Sequence, residues 1–145
     1  MRNQYTTGHK LKVAWHSISR MYNSYTTEVQ ISVPMAYVLL LLSARKGTLS
    51  TQIAPLLGME VGSLSRLLKS MESNLLIERI ADQSDKRQVS VYLTDEGLTK
   101  RKKARGIVKG FNDLVEDRID AEQLKTFFIV LDEIVELSEK NHLHK

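Results

Sequence analysis

The chain has 145 residues, a net charge of +4 and no cysteine, which bounds it to about one domain with a real core. It excludes thiol catalysis, thiolate metal sites, cysteine redox sensing and disulfide stapling. The longest purely apolar run, Val38 to Leu42, is far short of the ~20 residues that span a bilayer, and the polar start Met1 to Thr7 has no signal-peptide hydrophobic stretch, so a soluble cytoplasmic protein without a membrane partner is expected.

From His9 to Tyr25 the apolar residues Leu11, Ala14, Trp15, Ile18, Met21, Tyr22 and Tyr25 recur at spacings of three and four and predict an amphipathic helix. Ser32 is the expected N-cap of the next helix, with Pro34 in its first turn. From Met35 to Ala44 that helix is apolar nearly all round and belongs in the core. Gly47 is expected to end it, Thr48 or Ser50 to cap a short helix through Leu57, and Gly58 to close that one. Pro55 should distort the short helix.

Glu60 to Asn74 predicts a further helix, with Leu64, Leu67, Leu68 and Met71 on one side. Its opposite face centres on Gly62, Arg66, Lys69 and Ser73, flanked by Ser63, Ser65 and Ser70. Glu78–Ala81 and Gln88–Leu93 then read as a hairpin with Val89, Val91 and Leu93 facing inward, joined by the polar turn from Asp82 to Arg87. Thr94 caps a long helix from Asp95 to about Glu116. A last helix begins at Asp120, where Gln123 completes a capping-box pattern, and is expected to bury Leu124, Phe127, Phe128, Leu131, Ile134, Val135 and Leu137. Wide apolar faces on long helices at both ends of a short chain are more easily satisfied between two chains than within one, so a dimer is expected.

Charge is strongly polarised. Residues 32–97 carry seven cations against seven acids, 98–110 carry six cations and no acid, and 111–145 carry four cations against nine acids. The block Lys100, Arg101, Lys102, Lys103, Arg105 and Lys109 suggests an anionic partner, either DNA flanking the main site or the dimer's own acidic C-terminal helices; a solvated helix face is the alternative.

Two short helices joined by a tight turn at Leu57-Gly58-Met59, the second with a polar face, form a helix-turn-helix, and the hairpin makes it winged. The B-DNA major groove admits one helix, whose outward residues must be donors reaching bases or phosphates. Arg66 suits a bidentate contact to guanine, and Ser63, Ser65, Lys69 and Ser70 suit base reading or backbone positioning. Arg87, beside Lys86 at the wing tip, suits a minor groove, where negative potential favours a cation. Asp82 and Asp85 would repel phosphate, so shaping the turn or holding Arg87 is their expected task.

Leu57-Gly58, Ser63 to Leu68, Met71-Glu72, Leu76 to Arg79, Asp82, Asp85-Lys86-Arg87 and Leu93 to Gly97, in that order and spacing, resemble the MarR family of bacterial transcriptional regulators. The resemblance is strongest over residues 49–97. It implies a mainly α fold with a small β-hairpin wing, in which residues 32–97 form the winged helix-turn-helix DNA-binding domain. Residues 1–31 and 98–145 would form a helical dimerisation region. It further implies a homodimer on a pseudo-palindromic double-stranded operator, usually as a repressor released by a small ligand. The chain departs from the pattern at three positions. Glu60 stands where a serine or threonine cap is usual, Leu75 stands where glycine is usual, and Ser84 stands where arginine is frequent. With Leu75 in the glycine's place, Asn74 is expected to take the left-handed conformation and absorb the chain reversal.

Trp15, Tyr22, Tyr25 and Tyr37 are candidates for an aromatic effector pocket; aromatics at helical spacing are otherwise core. His9, His16, His142 and His144 make no metal-ligand spacing, and no metal or cofactor is expected. An enzyme is disfavoured, because the sequence has no phosphate-binding glycine loop, nucleophile elbow or paired ligand motif. Protein contact alone or chromosome architecture is the other alternative, and Arg66 together with Arg87 argues against a protein-contact wing.

Overall fold

A computed structural model describes residues 6–83, 85 and 87–142, the side chain of His142 excepted. The element order is α1 (Thr7–Asn23), α2 (Thr26–Val29), α3 (Val33–Leu41), β1 (Thr48–Leu49), α4 (Ser50–Leu57), α5 (Val61–Ser73), β2 (Ile77–Ala81), β3 (Val89–Leu93), α6 (Asp95–Glu116) and α7 (Ala121–His142). The chain divides into two compact units, one up to Ile107 and one from Val108.

The first unit is built around Val38 and Leu39 of α3, Leu42, Ile53 of α4, Met71 of α5, Ile77 of β2 and Val91 of β3, all fully buried. Ser32 caps α3 by accepting the Met35 amide, with Pro34 in the first turn. The helix stops at Leu41, earlier than the glycine at 47 suggested. Leu42 is already extended and remains in the core, while the Ser43 amide donates to Thr48 Oγ1 and the Arg45 and Lys46 amides donate to Ser43 Oγ. That exchange of hydroxyls occupies Thr48, so it caps no helix. Leu49 holds the cap position of α4 without a side-chain bond, and Ser50 is the first helical residue. Thr48 and Leu49 instead form an edge strand, giving a three-stranded antiparallel sheet in the order β1-β3-β2, with Thr48 opposite Val91 and Arg79 opposite Val91 on the other side. The first helix is also shorter than its apolar period suggested: it ends at Asn23, and a separate turn of helix, α2, follows Tyr25.

Gly58 closes α4 in the left-handed conformation at φ 58°, with the Met59 amide bonded to the Ala54 carbonyl and its own amide to the Pro55 carbonyl. The same arrangement closes α5, but with leucine in the glycine's place. Leu75 has φ 56°, its amide donates to the Glu72 carbonyl, and the Leu76 amide donates to the Met71 carbonyl at 2.9 Å. The expectation for Asn74 is therefore corrected. Its side-chain amide donates to the Ser70 carbonyl at 2.7 Å, which holds Asn74 against the helix at φ −91° and passes the reversal to the next residue.

Of the three hairpin residues expected inward, Val91 is fully buried and Val89 and Leu93 are half-buried. Asp120 caps α7 by accepting the Glu122 and Gln123 amides. The apolar face of α7 is not buried within the single chain: Phe127, Phe128, Val135 and Leu137 are exposed, and Leu124, Leu131 and Ile134 are only half-covered. A helix of this pattern needs a second apolar surface.

Two substitutions, one just after α5 and one in the first turn of α6, test this packing. Leu75→Gly should stabilise the protein by about 1 kcal/mol in urea unfolding, because an L side chain in the left-handed region costs about that much and Leu75 is 71% exposed, with little packing to lose. Gly97→Ala should destabilise by about 2 kcal/mol or more in the same measurement, since a Cβ there falls 2.0 Å from the Leu76 carbonyl oxygen.

Candidate nucleic-acid interface

Helix α5 has one anchored and one free side. Leu64, Leu68 and Met71 are buried, with Leu67 packed beside them, so the rotation of the helix is fixed by the core. The opposite side leaves Ser63, Ser65, Arg66, Lys69 and Ser70 exposed. Arg66 Nη2 lies 3.5 Å from Ser63 Oγ, a loose contact that leaves most of the guanidinium's five donors unused. The Ser73 hydroxyl donates to the Lys69 carbonyl and so turns inward along the helix end. Five small or cationic donors therefore share one exposed helical surface, which is the chemistry that hydrogen-bonds base edges and phosphate oxygens.

The wing is tied to this helix by charge. Arg79 of β2 donates through Nε to Glu72 of α5 at 3.0 Å and also through Nη2. The Arg79 hydrogen bond holds the Glu72 carboxyl below the usual glutamate range, against a smaller opposing effect of burial. At the tip, Asp82 Oδ1 accepts the Asp85 amide and Asp85 Oδ1 accepts the Arg87 amide, both at 3.0 Å. The Asp82 amide donates to the Gln88 carbonyl at 2.8 Å, and the Gln88 amide to the Asp85 carbonyl at 2.9 Å. These bonds close the tip as a pair of carboxylate-capped turns and leave Arg87 exposed at its end. Lys86 lies outside the described residues.

The cationic stretch of α6 is not a uniform face. Lys100 is almost fully buried; its ammonium donates to Gln30 Oε1 at 3.0 Å and pairs with Glu96 at 3.3 Å. Lys109 pairs with Asp113 one turn on, and that carboxylate raises the lysine's pKa. Lys102, Lys103 and Arg105 are exposed. Buried Lys100 thus links α6 to the α2–α3 connection, where Gln30 has φ 60°; the i,i+4 acid at Glu96 was the legible sign of pairing, but nothing in the sequence pointed to Gln30.

A cleft of about 640 Å³ opens beside this bridge, lined by Asn23, Thr26, Gln30, Met35, Leu76 and Lys100 among others. The four aromatics singled out from the sequence do not line it. Trp15 and Tyr22 each pack against Tyr37, with ring centroids 6.1 and 6.5 Å apart, and Tyr25 is partly exposed at the start of α2. Burial pushes the Tyr22 and Tyr37 phenols above their ordinary pKa, with the neighbouring Tyr37 adding to the shift at Tyr22.

A model of the MarR family matches residues 31–89, the stretch from the start of α3 to the second wing strand. Over that stretch the chain is similar to the MarR family. Within 84 residues it is 36% identical to the HTH-type transcriptional regulator TtmR of Methylorubrum extorquens (strain PA1), a match that takes in 58% of this chain and 43% of TtmR. The chain thus spans less than half the length of that relative. Among solved structures, the transcriptional repressor CouR bound to a 23-mer DNA duplex is similar at a TM-score of 0.77 and 26% identity, over 90% of this chain and 92% of CouR. The PcaV transcriptional regulator from Streptomyces coelicolor, solved with its natural ligand, has the same fold at a TM-score of 0.80 and 19% identity, over 91% and 93% of the two chains. Among the described residues, no helix is long and apolar enough to cross a membrane.

The Glu72–Arg79 pair joins helix α5 to the wing, and its contribution has a defined pH dependence. A carboxyl held low in the folded state stabilises the protein above the ordinary glutamate pKa, and that contribution disappears as pH falls through the lowered value. In an NMR titration Glu72 should titrate below the ordinary glutamate range, and Arg79→Ala should return it towards that range; an unchanged Glu72 midpoint in that variant would show that Arg79 does not set it.

Proposed function

We propose that this protein is a sequence-specific DNA-binding transcriptional regulator, a ligand-responsive repressor that acts as a homodimer on a pseudo-palindromic operator in the cytoplasm. The observation that carries the reading is the exposed Ser63, Ser65, Arg66, Lys69 and Ser70 surface of a core-anchored helix, beside a wing whose Arg87 is free at the tip. The helix enters the major groove, with Arg66 on guanine and Lys69 on phosphate, while Lys86 and Arg87 reach the flanking minor groove. Asp82 and Asp85 shape the wing, which their bonds to backbone amides support.

Residues 32–97 act as the reading domain, and 1–31 with 98–145 as the dimerisation region. The exposed apolar residues of α7 support a second copy as their cover, and CouR, solved on a DNA duplex, supports the nucleic-acid partner. Ligand response is supported by the fold shared with PcaV, solved with its natural ligand. A small molecule that settles in the cleft beside Lys100, or among Trp15, Tyr22, Tyr25 and Tyr37, favours one spacing of the two reading helices over another.

Binding to duplexes selected from genomic fragments and to random duplexes, measured across salt concentrations, tests this reading. Arg66→Ala should cost about 1–3 kcal/mol on the selected duplex and relax base preference. Lys69→Ala should weaken binding to all sequences alike and reduce the salt slope by about 1. Equal affinity of the unaltered protein for selected and random duplexes would overturn sequence-specific control.

A further inference from the structure

The first turn of α5 contains two residues that the fold does not use. Val61 is 75% exposed, and Gly62 is followed by the polar run that begins at Ser63. A Cβ added at Gly62 meets nothing within 4 Å, and the backbone there lacks the positive φ that calls for glycine at Gly58. Gly97 is the contrast, because the Leu76 carbonyl occupies the space of its Cβ. A glycine inside a helix is destabilising relative to alanine, and glycine otherwise marks close approach of the backbone to a ligand. Nothing within the described chain repays Gly62, and nothing covers Val61.

Both residues lie at the end of the helix that enters a groove first. Gly62 lies one turn before Arg66 and two before Lys69 on the same stripe, and Val61 lies one turn before Ser65. A protein surface would not need this row of cations and hydroxyls directly behind the apolar residue; a duplex has phosphates for the cations and, in the major groove, one apolar group, the thymine C5-methyl. Residues at the N-terminal end of a recognition helix are those that contact base edges.

We infer that the Val61-Gly62 step reads a thymine: Gly62 lets the helix backbone approach the base edges closely, and the Val61 methyl groups pack against the C5-methyl. The inference rests on the DNA-binding reading above and adds a base to it. Its charge complement is Arg66 and Lys69, which hold the duplex while Val61 discriminates.

The test replaces each thymine of a selected duplex in turn by deoxyuridine, which removes only the C5-methyl. The unaltered full chain should lose about threefold to fivefold in affinity at one position of each half-site, the effect of one buried methyl group, whereas Val61→Ala should bind the thymine and uracil forms equally. Gly62→Ala should raise the thermal unfolding midpoint and yet weaken duplex binding about tenfold, opposite signs that a purely structural glycine would not give. Indifference of the unaltered protein to every uracil, a Val61→Ala variant that keeps the uracil penalty, or a Gly62→Ala variant with undiminished affinity each overturns the inference while leaving DNA binding standing. Failure of the unaltered protein to select any duplex overturns both readings together.

Discussion

The Thr94 hydroxyl donates to the Leu75 carbonyl at 2.6 Å and accepts the Gly97 amide at 3.0 Å, so the end of α5, the base of the wing and the start of α6 meet at one oxygen atom. The Thr94 amide adds a bond to the Leu76 carbonyl at 3.2 Å, and Gly97 packs against that same carbonyl with no room for a side chain. This joint fixes where α5 ends and where α6 begins relative to the wing. The rotation of α5 is set by Leu64, Leu68 and Met71 in the core, its C-terminal end is set by the Leu75–Leu76 reversal, and the wing is held to it by the Glu72–Arg79 pair as well as by the sheet. A left-handed leucine is tolerated there because its own carbonyl and that of Leu76 are both committed to Thr94, which over-determines a conformation that the residue alone would avoid.

The electrostatics follow from the same geometry. Residues 32–97 carry equal numbers of acids and cations, so bulk charge does not draw this unit to DNA. Four of the seven acids are engaged: Glu72 with Arg79, Glu96 with Lys100, and Asp82 and Asp85 with amides of the wing turn. Arg66, Lys69 and Arg87 are on exposed surface. A unit of zero total charge with its exposed cations grouped in this way has a directional field. The basic block of α6 adds less than its composition suggested, because Lys100 is buried between Gln30 and Glu96 and Lys109 is paired with Asp113.

Much of this was legible in the sequence. The period of Leu64, Leu67, Leu68 and Met71 placed α5 and both of its faces, Gly58 marked the end of α4, and Thr94 marked the start of α6, because in each case a local rule of helix geometry acts without competition. Failures arose where a distant partner decided. Thr48 has the right chemistry for a cap, but Ser43 and the register with Val91 claim it for strand β1. Asn74 has the higher intrinsic preference for the left-handed region, but its amide is drawn back to the Ser70 carbonyl. The partner of Lys100 is 70 residues away in sequence, beyond any local pattern. The apolar stripe of α7 was legible as one better satisfied between two chains, and in the single chain Phe127, Phe128, Val135 and Leu137 are exposed.

In the proposed function, two copies of α5 read successive major grooves from fixed positions. Hydroxyl-radical footprinting of the protein on a selected duplex should then show two protected patches related by two-fold symmetry, with centres about 10 base pairs apart, flanked by minor-groove protection that Arg87→Ala removes. A single patch, or even protection along the whole duplex, would contradict it.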